Sequence, residues 1–160
     1  MIGNVAGKLA DSIKQSKPFK SLEEEAYLNL IRAADLLQRQ ETALLDEHGI
    51  SHSQYNVLRI LRGAGADGLA CGEIAGRMIT HDPDITRLLD RLEKRGYAQR
   101  SRESKDRRVV ISRITRAGLD VLQKLDAPVA ELHKRNLGHF APKELRGLIE
   151  LLERAIEGFR

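Results

Sequence analysis

The sequence predicts a mostly α-helical fold with one small β-hairpin set into it. Apolar residues recur at helical spacing along most of the chain, and the period shortens to two only across Tyr97–Arg102 and Val109–Thr115. Between those two runs lies ESKDRR, a turn rich in Lys and Arg. A helical chain with one basic hairpin is the starting expectation.

At 160 residues, 31% charged and 41% hydrophobic, the chain suits one ordinary domain with a buried core. It shows no apolar run long enough to span a bilayer and no secretory-type N-terminus, so a cytoplasmic protein is expected. Cys71 is the only cysteine, which excludes an intramolecular disulfide and argues against a cysteine-built metal site. Net charge is +4, but its distribution is uneven: Ser51–Arg116 holds 14 Lys or Arg against 8 Asp or Glu, and the remainder 13 against 15. A basic middle between near-neutral flanks is the electrostatic footprint of nucleic-acid binding, although solvated basic faces are also common.

Ile2, Val5, Leu9 and Ile13 predict a short amphipathic helix before Pro18. Ser21 and Glu24 form a capping box opening a longer helix, with Leu22, Tyr27, Leu30, Ile31, Leu37 and Leu44 as its stripe and Gly49 as its end. Ser51 and Gln54 make a second box, starting a helix through Tyr55, Leu58 and Leu61 that should stop at Gly63. After the loop GAGADG, Leu69 and Ala70 suit a very short strand. CGEIAGRM then gives a two-turn helix with Ile74, Ala75 and Met78 inward.

Thr80–Pro83 reads as a tight connection into the next helix, with Asp82 as N-cap and Pro83 at the first helical position. In that helix Ile85, Leu88, Leu89 and Leu92 form the buried stripe. The opposite face carries Asp84, Arg87 and Arg91, with Thr86 and Asp90 at its edges, and Lys94, Arg95 and Gly96 close the helix. Two helices joined by a brief turn, the second longer and basic, make a helix-turn-helix, and the hairpin that follows is a wing. Thr115 should cap a further helix with Leu119, Leu122, Leu125, Val129 and Leu132 inward and a kink at Pro128. Pro142 starts a last one bearing Leu145, Leu148, Ile149, Leu152, Ile156 and Phe159. These stripes exceed the needs of a small winged core, so residues 1–48 and 117–160 are assigned to dimerisation and 51–116 to the winged helix-turn-helix lobe.

The candidate DNA-binding residues are therefore Ser51, Ser53 and Gln54 at a helix N-terminus, Asp84, Thr86, Arg87 and Arg91 on the recognition helix, and Lys105, Arg107 and Arg108 on the wing. Each has a plainer role available: capping for the first three, and an ion pair with Asp90 or Asp84 for Arg87. Cys71 suits either a thiol switch or simple packing. The five histidines show no metal-ligand spacing and no nucleophile or phosphate-cradling motif is present, so neither a cofactor nor catalysis is expected.

The segments SQYNVLRIL (53–61), ITRLLDRLEKRGYAQR (85–100), DRRVVISRIT (106–115) and LGHFAPKELRGLIELLERAI (137–156) together resemble the MarR (multiple antibiotic resistance regulator) family of bacterial transcription regulators, from about Leu22 to Phe159. The resemblance implies a homodimer with two winged lobes on a pseudo-palindromic operator, and a repressor released by a small anionic or aromatic ligand. It also implies that Arg108 enters the minor groove, that Asp106 holds the wing tip in shape, and that Thr86 and Arg87 meet bases or phosphates. Ala141 departs from the capping Ser common in the family, and Asp82 and Asp84 put unusual acidity at the start of the reading face. A winged-helix module that docks its basic face on an acidic protein partner is the alternative.

Overall fold

The computed structural model describes residues 8–80, 84–102 and 109–159. The chain forms two compact units, Met1–Gln40 and Glu41–Arg160. In the first, α1 is described over Lys8–Ser12, with Ser12 Oγ donating to the Leu9 carbonyl at 2.8 Å. Ile2 and Val5 lie outside the described residues.

The long helix α2 (Leu22–Glu47) begins in this unit. Ser21 Oγ accepts from the Glu24 amide at 3.2 Å as the capping box requires, but the Glu24 carboxylate reaches past Ser21 to the Lys20 amide, 2.6 Å away. Leu22, Tyr27, Leu30 and Ile31 of the predicted stripe are exposed in the single chain.

In the second unit α2 ends as predicted at Gly49, whose positive φ of 65° only glycine adopts cheaply. The Gly49 amide bonds Asp46 O and the Ile50 amide bonds Leu45 O, the paired closure of a Schellman end, and the Leu45 and Ile50 side chains that accompany it are both buried. Helix α3 (His52–Ala64) carries the full Ser51–Gln54 capping box. It runs through Gly63 to Gly65. A helical glycine costs about 1 kcal/mol, and burial of Tyr55, Val57, Leu58 and Leu61, at roughly 2 kcal/mol each, outweighs it.

The remaining elements are β1 (Leu69–Ala70), α4 (Cys71–Arg77), α5 (Ile85–Lys94), β2 (Ala98–Arg102), β3 (Val110–Ile114), α6 (Arg116–Leu137) and α7 (Pro142–Glu157). The hairpin gains a third strand, because β1 pairs antiparallel with β3 to give the order β1-β3-β2. In α4, Ile74 points inward as predicted and Ala75 is exposed.

One core holds this unit together. Leu58 and Leu61 of α3, Ile74 of α4, Leu88, Leu89 and Leu92 of α5, and Leu122, Leu125 and Val129 of α6 share it. Leu122, Leu125 and Val129 of the α6 stripe, assigned from sequence to dimerisation, are thus buried within one chain, where α6 packs on α3. Pro128 sits within a continuous α6. Thr115 caps α6 as predicted, its Oγ1 accepting from the Gly118 amide at 3.1 Å and donating to Gly96 O at 2.6 Å. By contrast α7 buries no residue, and Ile149, Leu151, Ile156 and Phe159 remain exposed. Ala141 has no acceptor, so only the Glu144 half of its box forms, through the Ala141 amide at 2.7 Å. Among the described residues no helix is long and apolar enough to cross a membrane.

Candidate nucleic-acid interface

The recognition helix starts later than its sequence suggests. Its N-cap is Asp84, whose carboxylate accepts from the Arg87 amide at 3.1 Å, and helical residues begin at Ile85. Two acids flank Pro83, and a proline at the first helical position favoured Asp82; Asp82 and Pro83, like His81, lie outside the described residues. Asp84 also pairs with Arg87 Nε at 3.1 Å, so this candidate reading residue works on its own helix. This is the ion pair weighed as the plainer role of Arg87.

Because Ile85, Leu88, Leu89 and Leu92 are buried, the 3.6-residue period turns Thr86, Arg87 and Arg91 outward. Arg87 remains 77% exposed despite its pair. An exposed ion pair contributes little to stability, so Arg87 can exchange it for a phosphate or base edge at small cost. At the far end, the Gly96 amide bonds Glu93 O and the Tyr97 amide bonds Leu92 O, closing α5 as the glycine predicted. Arg95, assigned from sequence to this helix's own dipole, serves another helix: its Nη1 donates to Gly49 O at the end of α2.

The other acids of α5 also face protein. Arg100 of β2 places Nη2 2.6 Å from Asp90 Oδ1 and 2.5 Å from Glu93 Oε2, while its Nε donates to Glu93 Oε2 at 2.9 Å. The Arg100 amide donates to Glu93 Oε1 at 3.1 Å. Hydrogen bonding from the Arg100 side chain holds the Glu93 carboxyl below the usual glutamate range, against the opposing effect of burial. Arg113 of β3 ties the hairpin further, donating to Ala66 O at 2.8 Å and to Ser101 Oγ at 2.7 Å. Sequence reasoning passed over Arg100 and Arg113. The only signal for the former was the i, i+3 spacing of Asp90 and Glu93 ahead of a strand arginine.

Ser51 is exposed and Ser53 half-buried at the α3 N-terminus, whereas Gln54 is only 8% exposed with its oxygen on the Ser51 amide at 3.1 Å. Ser51 and Gln54 therefore share the capping role, Ser51 Oγ accepting from the Gln54 amide at 3.3 Å, while Ser51 stays exposed and Ser53 half-exposed. Lys105, Asp106, Arg107 and Arg108 lie outside the described residues. Cys71 is partly buried against the core, its Sγ 3.9 Å from Thr86 Oγ1, at the edge of a cleft of about 220 Å³ also lined by Leu89, Arg100, Val110 and Ser112.

On the seam of α2, α3 and α6, His52 Nδ1 lies 2.8 Å from Glu41 Oε2 and His133 Nε2 3.7 Å from Glu41 Oε1. The approach of the buried His52 nitrogen is off the hydrogen-bonding direction, so the contact is one of proximity. Spacing in sequence hid this convergence. Among the described residues no group of three or more His, Cys, Asp or Glu is arranged to hold a metal ion. His48 Nδ1 lies 3.1 Å from Leu44 O near the end of α2.

The sequence pattern of the MarR family matches residues 50–110, which is the stretch from the α3 cap to the start of β3. The HTH-type transcriptional regulator PrsX of Escherichia coli is 30% identical over 89% of this chain and 86% of its own. A crystal structure of a MarR transcription factor from Planctomyces limnophilus shares 45% identity, covers 84% of this chain and 98% of that one, and superposes with a TM-score of 0.66. The PcaV transcriptional regulator from Streptomyces coelicolor, solved in complex with its natural ligand, is 26% identical with a TM-score of 0.64, covering 79% and 91% of the two chains. These relatives do not favour the protein-docking alternative. The exposed basic face of α5, the winged sheet behind it and these similarities agree: the chain belongs to the MarR family of DNA-binding transcriptional regulators.

Proposed function

We propose that the protein is a homodimeric repressor that binds an inverted-repeat operator and is released by a small anionic or aromatic ligand. The observation that carries the DNA side is the outward row of Thr86, Arg87 and Arg91 on α5, opposite its buried stripe. Arg87 and Arg91 meet bases or phosphates in the major groove, and Ser51 and Ser53 seat a phosphate at the α3 N-terminus. Lys105, Arg107 and Arg108 serve the minor groove, with Asp106 holding the wing tip. The role is binding rather than catalysis, in the cytoplasm.

Dimerisation is supported by the apolar side chains left exposed on α7 and, in the first unit, on α2. A two-fold dimer of such lobes reads half-sites about one helical turn apart. The effector reading rests on the family and on PcaV having been solved with a natural ligand. A gel shift on the promoter region beside the protein's own gene tests operator binding. A thermal-shift ligand screen, repeated with operator DNA, tests release: an effector stabilises the free protein and loosens the complex.

A further inference from the structure

We propose that Arg100 is a positioning residue for DNA binding: clamped by Asp90 and Glu93, it sets the angle between the recognition helix and the hairpin without touching DNA. The inference rests on α5 being the helix that meets DNA. Three observations support it.

Both the backbone amide and the guanidinium of Arg100 are held by the one Glu93 carboxylate, so β2 is fixed to α5 in position and in rotation. The side chain is only 28% exposed, unlike the open Arg87. Asp90 supplies a second carboxylate one turn earlier, so the guanidinium fork spans two points of the helix and resists a swing about either one.

The arrangement also explains why a DNA-reading helix carries acids. Asp90 and Glu93 are spent on Arg100, and their removal is predicted to weaken DNA binding. If they merely repelled phosphate, the same change would tighten it. The two accounts differ in sign.

The test uses the full-length protein, the duplex it selects most strongly from a random-sequence pool, and a scrambled duplex of equal length. Affinity is measured across a salt series for Glu93→Gln, Asp90→Asn, Arg100→Lys, Arg100→Met and, as a reference, Arg87→Ala. Glu93→Gln and Arg100→Met are expected to lose affinity for the selected duplex on the order of tenfold, the size usual for residues acting without ligand contact. Binding to the scrambled duplex and the salt slope should stay as in the wild type. Arg100→Lys should fall between, because it keeps the charge and loses the fork.

The proposal is overturned if Glu93→Gln binds more tightly, if both variants bind like the wild type, or if Arg100→Met flattens the salt slope by about one, the mark of a phosphate contact. Should Arg100→Met not fold, Glu93→Gln and the milder Asp90→Asn decide the matter by the same sign. If Arg87→Ala also leaves binding unchanged, the assignment of α5 to DNA fails instead.

Discussion

Arg95, at the end of the recognition helix, donates through Nη1 to the carbonyl oxygen of Gly49 over 2.5 Å, across 46 positions of sequence. The guanidinium lies 4.7 Å from the centre of the Tyr97 ring, and Nη2 bonds the Tyr97 hydroxyl at 3.2 Å. One side chain thereby joins the C-terminal ends of α2 and α5, where unpaired carbonyls favour a cation. Arg95→Ala is expected to cost about 1 kcal/mol, a value discounted for solvent exposure. A lower urea midpoint with unchanged m would show it.

Asp84 and Arg87 offer a separation of cap from charge. Asp84→Asn keeps an N-cap acceptor and removes a negative charge beside Arg87, so stability should change little while DNA affinity rises. Asp84→Ala loses the cap as well, at about 1 kcal/mol. Arg87→Ala should weaken operator binding by about 1 to 3 kcal/mol if it reads a base. Paired thermal melts and gel shifts on the three variants separate these effects.

Gly118 is packed where a side chain cannot go. A Cβ there would collide with the Tyr97 carbonyl oxygen and come within 2.8 Å of Ile114. Gly118→Ala is expected to destabilise the second unit by about 1 to 3 kcal/mol, the range for overpacking. Chemical denaturation measures it, and an unchanged midpoint would refute the close-packed reading.

Glu93 makes the helix-to-hairpin clamp acid-sensitive. Its carboxyl is held below the usual glutamate range by Arg100, so the folded state favours the ionised form. The clamp's contribution is complete above the ordinary glutamate value of about 4.3 and fades as pH falls through the lower folded value. Stability measured from pH 7 downward should therefore drop in acid for the wild type. The drop should be shallower in Glu93→Gln, which has no proton to gain.

The exposed face of α7 predicts its own defect. Ile149, Leu151 and Ile156 are all more than half exposed in the single chain. Leu151→Glu should shift the protein towards monomer in sedimentation velocity with little loss of helicity. A variant that stays at the wild-type mass would remove α7 from the proposed dimer interface.

Much of this molecule is local and could be read along the chain. The buried stripe of Ile85, Leu88, Leu89 and Leu92 follows from helical periodicity, the closures at Gly49 and Gly96 from a backbone that needs positive φ, and the caps at Ser51 and Thr115 from a hydroxyl placed three residues before an unpaired amide. Locality also misled. Asp82 and Asp84 flank Pro83 and fit the same cap, and nothing short of the backbone path chooses between them. Gly63 looked like a helix end because propensity is local, whereas the packing that carries α3 past it is not.

The order of elements, the inward face of α3 and α5, and the outward row of Thr86, Arg87 and Arg91 are thus legible along the chain alone, because periodicity and capping act over one or two turns. That α6 closes the lobe core, that β1 joins the hairpin as a third strand, and that Arg100 is held by Asp90 and Glu93 emerge from packing and not from any local pattern. The same holds for Glu41 meeting His52 and His133. Those relationships join residues from different elements, and which side chains meet there depends on how the helices and strands pack around a shared core.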